Sequence, residues 1–450
     1  MFIDIFLKSF ELKKNNEAII WNDNTYYYQD IINKINYFKN ELKKNNIQPG
    51  TVISIDGSFS PSVIALMFAL IENQCIILPV YKINSSLKNQ FYGIAEVEIE
   101  CFFKNDKLVL NSRNKIVNHN LIKILKKKKH PGLILFSSGS SGKPKAAIHD
   151  FSLLLDKFSV KRPTYRTLNF LLFDHWGGLN TMFHVLANQG TLILTDDRTS
   201  ENICNLIAKY KIELLPTSPT FLNLMLVSES YKKYNLESLK IISYGTEPMP
   251  KTILKKFTEI FPNIKMQQTY GLIEIGVLRT KSESNDSLWL KLGGEGIETR
   301  VVDDILQIKS NSTMLGYLNA PNPFTSDGWF ITQDKVQEKN GFFKILGRES
   351  DIINVGGEKV YPTEIEAVIH QMNEVLEVTV YGKPNSILGN IVCAKIRLIA
   401  DQDHNIFKIK LKEFCKSKLK KFMIPIKIIF DDKQQYNYRF KKIKNLNNEL

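Results

Sequence analysis

Short apolar runs rich in β-branched residues recur through the first half of the chain, and stretches of helical period separate them. The runs include TVISID, CIILPV, GLILFSS, LNFLLF, TLILTD, IELLPTS and LKIISYG. Between them lie YYQDIINKINYFKNELKK, SPSVIALMFALIEN and NICNLIAKYK, each able to turn one apolar face inward. Strands that alternate with helices are joined by crossovers, so they lie parallel in sheets covered by helices. After about Glu283 the texture changes: LWLKLGGEGIETRVVDDILQIKS has hairpin-like alternation and no long helix. From Ile352 a strand, helix and strand pattern resumes. The expected fold class is α/β. A large N-terminal domain of parallel αβ-layered sheets carries a small antiparallel β subdomain, and a small α+β domain follows. The boundaries are set at 1–346 and 352–450, with 347–351 as the joint.

Composition narrows the functional classes. The longest uncharged apolar run, Val63–Ile71, ends at Glu72 and is too short to span a bilayer. The opening MFIDIFLKSFELKK lacks the basic-then-apolar plan of a signal peptide. Five cysteines, none in C-x-x-C spacing, read as reduced thiols of a cytoplasmic protein. The net charge of +14 is concentrated near the end, where 13 Lys/Arg face 3 acidic residues between Lys408 and Lys444. No zinc-finger, helix-turn-helix or aromatic RNA-binding pattern accompanies that charge, so a nucleic-acid partner is not expected. The basic segment is either a solvated face or a surface for an anionic small molecule or partner.

The stretch FSSGSSGKPKAAIHD follows an apolar strand and crowds hydroxyls and glycines into a turn. Small residues let an anion approach backbone N–H groups, and Lys143 and Lys145 add charge, which is the chemistry of a triphosphate loop. A flexible Gly/Ser linker would not normally sit between a buried strand and KPKAAIHD. The Walker pattern fails, because Ser137 stands where it needs glycine and Pro144 where it needs Ser or Thr.

The same stretch resembles the phosphate loop of the adenylate-forming superfamily: acyl- and aryl-CoA ligases, luciferases and carrier-protein-loading adenylation domains. Ser137, Ser138, Gly139, Ser140, Ser141, Gly142, Pro144, Lys145 and His149 fit that pattern, with Ala146 in place of a glycine. QQTYGLIEIG resembles the motif in which Tyr270 and Gly271 would meet adenine and Glu274 would hold Mg²⁺; Ile273 replaces a threonine. In SDGWFITQDKV, Asp334 would accept the ribose hydroxyls, with Gln333 replacing a common glycine. Gly245, Thr246 and Glu247 of ISYGTEPMP would frame the base. ILGRESDIINVGGEKVYPTEIE is the longest match. There Arg348 would reach ribose and phosphate, Ser350 would be the hinge, and Gly356 and Gly357 would line the thiol channel.

LLFDHWGGLN resembles the family's histidine-x-x-glycine segment, which implies that His175 would be the gate between adenylate and thiol, or, in the register of amino-acid-activating relatives, that Asp174 would bind a substrate ammonium; the His175 register, for an acid without an amine, fits the spacing better. The family ends in a Gly-Lys-hydrophobic-x-Arg segment whose lysine acts in adenylation. NYRFKKIKN offers either Arg439 or Lys442 for that lysine. The resemblance therefore implies an AMP-forming acid–thiol ligase using ATP and Mg²⁺, with CoA or a phosphopantetheinyl carrier protein as acceptor. Its partners would be a small carboxylic acid and CoA or an acyl or peptidyl carrier protein, in a monomer or homodimer. The alternatives are an amino-acid-activating ligase using Asp174, an enzyme that stops at the adenylate, and a degenerate nucleotide binder.

Overall fold

The structure, a computed structural model, describes residues 2–137, 143–294 and 296–443. One seven-stranded sheet has the order Lys265–Gln268, Ile241–Tyr244, Leu214–Thr217, Arg166–Leu168, Thr191–Leu194, Glu17–Trp21 and Asn24–Tyr27. All its neighbours are parallel except the last pair. A second has the order Gly316–Tyr317, Lys145–Asp150, Gly132–Ser137, Ile76–Val80, Val52–Asp56, Ile99–Lys104 and Lys107–Ser112. Its centre is parallel and its flanking pairs are antiparallel.

The helix Pro61–Glu72 explains how the two sheets are joined. Ser60 caps it by accepting from the Val63 N–H, and Pro61 sets the first turn. Every residue from Val63 to Ile71 is buried, and a helix apolar on all sides needs cover on all sides. It packs with Asp4–Leu12, Tyr28–Lys44 and Trp176–Ala187 in one core cluster that also takes Ile19 and Leu192 from one sheet and Ile55 and Ile77 from the other. The outer faces are covered by Ser200–Tyr210, Pro219–Ser228 and Lys251–Ile260 on one side and by Ser85–Ile94 and Asn120–Lys128 on the other. The arrangement is helices, sheet, helices, sheet, helices.

The expected antiparallel subdomain is a six-stranded sheet built from segments between Arg279 and Arg348. A five-stranded sheet follows from Ile353, covered by the helices Pro362–Ile369 and His404–Lys418. Two details differ from the sequence reading. LNFLLF is not one strand: pairing stops at Leu168, because Phe170 and Phe173 are buried in different cores and the chain must leave the sheet to reach both. The strand GLILFS does not pass to a crossover; it pairs antiparallel with Lys145–Asp150, so the expected phosphate loop joins a hairpin. The opening segment is the helix Asp4–Leu12, with Phe6 and Phe10 buried. All five cysteines are free and buried. Among the described residues no helix is long and apolar enough to cross a membrane.

The inner core is aromatic. Phe183 meets Phe6, Phe68, Phe151 and Phe158 at ring-centroid distances of 5.5–5.7 Å. Phe183→Ala should destabilise the N-terminal region by about 3–5 kcal/mol, the usual result of emptying such a site. The urea midpoint, followed by tryptophan fluorescence, should fall, while Leu12→Ala, at a side chain 71% exposed, should leave it unchanged.

Candidate active site

Four neighbouring parallel strands, Lys265–Gln268, Ile241–Tyr244, Leu214–Thr217 and Arg166–Leu168, deliver their C-terminal ends to one edge of the first sheet. The loops beyond them carry Thr269–Tyr270, Gly245–Glu247, Ser218 and Asp174–His175. That edge is where open α/β sheets bind ligands, since crossovers leave a crevice there. Gly245 has no alternative at this edge, because a Cβ would lie 2.3 Å from Thr269 Oγ1. Thr246 adopts φ +73, a conformation costly for a β-branched residue. Glu247 accepts from the Thr220 N–H at 2.8 Å and so fixes the first turn of Pro219–Ser228.

Tyr270 and Asp334 are buried and joined by the more exposed Arg348. The Tyr270 hydroxyl donates to Asp334 Oδ2 at 2.6 Å, and Arg348 Nε donates to Oδ1 at 2.8 Å. Burial and the adjoining Asp334 charge hold the phenol well above its usual range. Asp334 is aimed by Gln333, whose φ of +61 bends the strand Phe330–Lys339. The glycine of the family pattern is thus explained by backbone geometry, which glutamine adopts here at a cost.

Glu274 is buried, and its Oε1 accepts from the Tyr317 hydroxyl at 2.6 Å. Lys145 Nζ lies 5.5 Å from the centre of the Tyr317 ring, which brings the last loop lysine beside the carboxylate. Behind them His149 Nε2 donates to the Ile273 carbonyl at 2.6 Å. Burial holds that imidazole down to about 4, so it stays neutral and positions the residue preceding Glu274. The Ile273 side chain packs partly buried against the core, with no hydroxyl to offer a phosphate. Ser137 ends its strand opposite Lys145, and Lys143 is exposed. Ser138, Gly139, Ser140, Ser141 and Gly142 lie outside the described residues.

His175 caps the helix Trp176–Ala187, its Nδ1 accepting from the Gly177 N–H at 3.0 Å. Burial, with Lys441 and Arg439 nearby, drives its pKa well down, so the ring is neutral. Gly178 lets the helix start touch the preceding loop, because a Cβ would lie 2.2 Å from the Leu172 carbonyl. Gly271 is equally constrained, with Gly276 O 2.6 Å from a built Cβ.

The C-terminal segment is strapped across this edge. Arg439 donates to Asp174 Oδ2 at 2.5 Å, Arg198 donates to the Tyr438 carbonyl at 2.7 Å, and Ser218 Oγ donates to the Phe440 carbonyl at 2.9 Å. The Phe440 ring packs against Phe170 and Phe221. Two expectations change here. Arg439 is paired with Asp174, and Lys442 with Glu366 Oε2 at 2.7 Å, so each of these cations already has a carboxylate partner. Phe440, at φ +52, adopts the left-handed backbone that suits the motif glycine, and Lys441 is the residue that follows it. Its ammonium feels Arg439, Glu247, Arg348 and Glu274, and burial, followed by Arg439, pulls it down to about 8. Asp174, paired with Arg439, is likewise not open to a substrate ammonium in this arrangement. Sequence reading missed Lys441 because nothing in it marks a phenylalanine for positive φ; Arg198 and Tyr317 lie outside any motif. Gly356 and Gly357 form an exposed hairpin turn with φ +59 and +90, which itself demands glycine.

Comparison with known proteins places the chain in a family. A family model described as AMP-binding enzyme matches residues 6–318, and one described as AMP-binding enzyme C-terminal domain matches 364–436. The chain belongs to the AMP-binding enzyme family. It is 28% identical over 322 residues to a long-chain-fatty-acid–CoA ligase of Mycobacterium tuberculosis, covering 66% of this chain and 63% of that protein. It is 26% identical over 339 residues to probable acyl-activating enzyme 4 of Arabidopsis thaliana, covering 67% and 61%. The aligned part thus spans about three fifths of the length of these curated relatives. In fold it is similar to an anthranilate CoA ligase crystallised with anthranoyl-AMP, with a TM-score of 0.83, 16% identity, and coverage of 98% of this chain and 95% of that one.

Asp174 is buried and the Arg439 side chain is 21% exposed, so Asp174→Ala strands a largely covered guanidinium and should cost the closed arrangement about 2–3 kcal/mol. Protease cleavage within 432–443 should accelerate accordingly, and Asp174→Ala combined with Arg439→Met should recover much of the protection.

Proposed function

We propose that this AMP-binding enzyme activates a carboxylic acid with ATP and passes the acyl group to a thiol, CoA in the first place. The acid's carboxylate oxygen attacks the α-phosphorus, pyrophosphate leaves, and the acyl-adenylate carbonyl then takes the thiol while AMP departs. The carrying observation is the electrostatic setting of Lys441, whose ammonium feels the charges of Arg439, Glu247, Arg348 and Glu274 and whose own charge acts on His175. Two anions must approach each other during adenylation, and a dehydrated cation between them stabilises the charge that develops. The CoA ligases among the relatives support CoA as acceptor.

In this reading Tyr270, Asp334 and Arg348 hold the nucleoside, with Gly245–Glu247 beside the base. Ser137 to Lys145 wrap the phosphates, and Glu274 is the one protein carboxylate for Mg²⁺. Among the described residues no cluster of three metal-ligating side chains occurs. A lone carboxylate beside a phosphate loop suits an ion that takes most of its ligands from phosphate and water. Residues 1–346 and 352–450 act as two bodies, with Ser350 in the exposed joint 347–351. Opening there would withdraw Lys441 and bring Gly356 and Gly357 toward the thiol, which keeps a water-sensitive adenylate covered in both steps.

Acid-dependent pyrophosphate release, assayed over a panel of acids with and without CoA, tests the reading; ATP binding without release would show a nucleotide-binding protein instead. Lys441→Ala should slow acyl-AMP formation on the order of a hundredfold and leave thiolysis of supplied acyl-AMP near normal. A larger loss in Arg439→Ala or Lys442→Ala would overturn the assignment. Glu274→Gln should likewise slow adenylation on the order of a hundredfold.

The pH profile follows from the lowered Lys441 ammonium. The charged form is needed, so kcat/KM for adenylation should be full below pH 8 and fall as pH rises through about 8. Lys441→Arg should remove that limb, because guanidinium does not titrate there.

A further inference from the structure

A cavity of about 870 Å³ opens beside the helix Trp176–Ala187. Its body is apolar and small-polar, with Leu214, Pro216, Ser243, Thr269 and Val277 among its walls. It shares Thr269 with the edge that carries Tyr270, so it is where the body of an activated acid would lie. Among the described residues the charge on its walls is one-sided: Lys157, Arg162, Arg279, Lys281 and Lys291 line it, against the carboxylate of Asp156.

Lys157 is the innermost of these cations in character. Its ammonium donates to Asn180 Oδ1 and to the Val277 carbonyl, and it lies 5.1 and 5.5 Å from the Phe158 and Trp176 rings. These are neutral partners. Burial, with Arg162 adding repulsion, pulls the ammonium down to about 7, and no carboxylate offsets either effect. Asp156 does not serve as counter-ion: it is exposed, and its own pKa is raised by burial and by Asp150. His184, another wall residue, is held down to about 4 by burial and by the charges of Arg162 and Lys157.

The outer wall repeats the pattern independently. Lys281 and Lys291 are direct cross-strand partners, and both are exposed to the cavity's open side. Like charges placed directly opposite destabilise a sheet, and neither has an ion-pair partner among the described residues. A half-buried ammonium held by neutral partners and a pair of opposed lysines share one remedy, an anion brought by the ligand.

Building on the ligase reading, we propose that the activated acid is dianionic, carrying a second carboxylate that Lys157 holds at the far end of this cavity. Asn180 follows His175 by five residues, which places Lys157 about 7–8 Å along the helix axis from the gate histidine. An acid whose two carboxylates are separated by several carbons or by a ring spans that distance. The 870 Å³ volume admits such a body, and Lys281 and Lys291 would draw the dianion inward.

The test uses straight-chain dicarboxylates of graded length, each paired with its monomethyl ester, which keeps the shape and removes one charge. Pyrophosphate release by the full-length enzyme should favour a diacid over its half-ester on the order of a hundredfold in kcat/KM, the usual loss when one partner of a buried charge pair is removed. Lys157→Met should bring that ratio close to one while changing half-ester turnover little, and Lys157→Arg should retain part of it. Equal turnover of diacids and half-esters by the unaltered enzyme would overturn the proposal. So would an equal loss for both substrates in Lys157→Met, which is the signature of a merely structural lysine. Calorimetric titration with diacids separates the two readings. Diacid binding that needs Lys157, without pyrophosphate release, supports the subsite and refutes the ligase. Release with monoacids alone supports the ligase and refutes the subsite.

Discussion

The buried pair between Arg439 and Asp174 fixes the whole edge in one arrangement. Neither charge is cheap to bury, and each makes the other tolerable. By holding Arg439, Asp174 ties a segment of the small domain to the loop that leads into His175. Arg198 on the Tyr438 carbonyl and Ser218 on the Phe440 carbonyl complete the strap. Phe440 sits in left-handed backbone, and the ammonium of the next residue, Lys441, feels the charges of Glu247, Arg348 and Glu274. One ion pair therefore bears on which of three closely spaced cations, Arg439, Lys441 and Lys442, is left to serve the crevice.

Charge is also sorted by depth. Lysines on the helix His404–Lys418 are largely exposed, and two of them meet Glu374 and Gln371 within the small domain. Most of the basic tail is thus an ordinary solvated face. The unusual cations are two half-buried lysines whose ammonium groups are held below their ordinary range, Lys441 at the sheet edge and Lys157 among neutral partners in the cavity. Dehydration makes both poor carriers of charge in isolation and strong ones once an anion arrives.

Departures from the family pattern have local explanations. Gln333 stands where left-handed backbone favours glycine, and it survives because the strand on either side is anchored by Thr332 and Asp334. Ile273 gives up a hydroxyl, while its carbonyl keeps the bond to His149 that orients the Glu274 turn. The aromatic core beneath, from Phe6 to Phe183, supplies a rigid floor to the helix that His175 caps.

The sequence by itself determined the fold class, because alternating apolar strands and amphipathic helices admit few layered solutions. It also marked Tyr270, Glu274, Asp334 and Arg348, since each sits in a local pattern whose chemistry is readable within a few residues. What only tertiary structure decided was the use of the cations. Whether Arg439, Lys441 or Lys442 faces the crevice depends on a positive φ at Phe440 and on Asp174, 265 residues away along the chain. The cavity's charge is equally non-local: Lys157, Arg162, Lys281 and Lys291 belong to no motif and meet only when three elements pack. Local pattern reports what a residue prefers, and long-range packing determines what it finally faces.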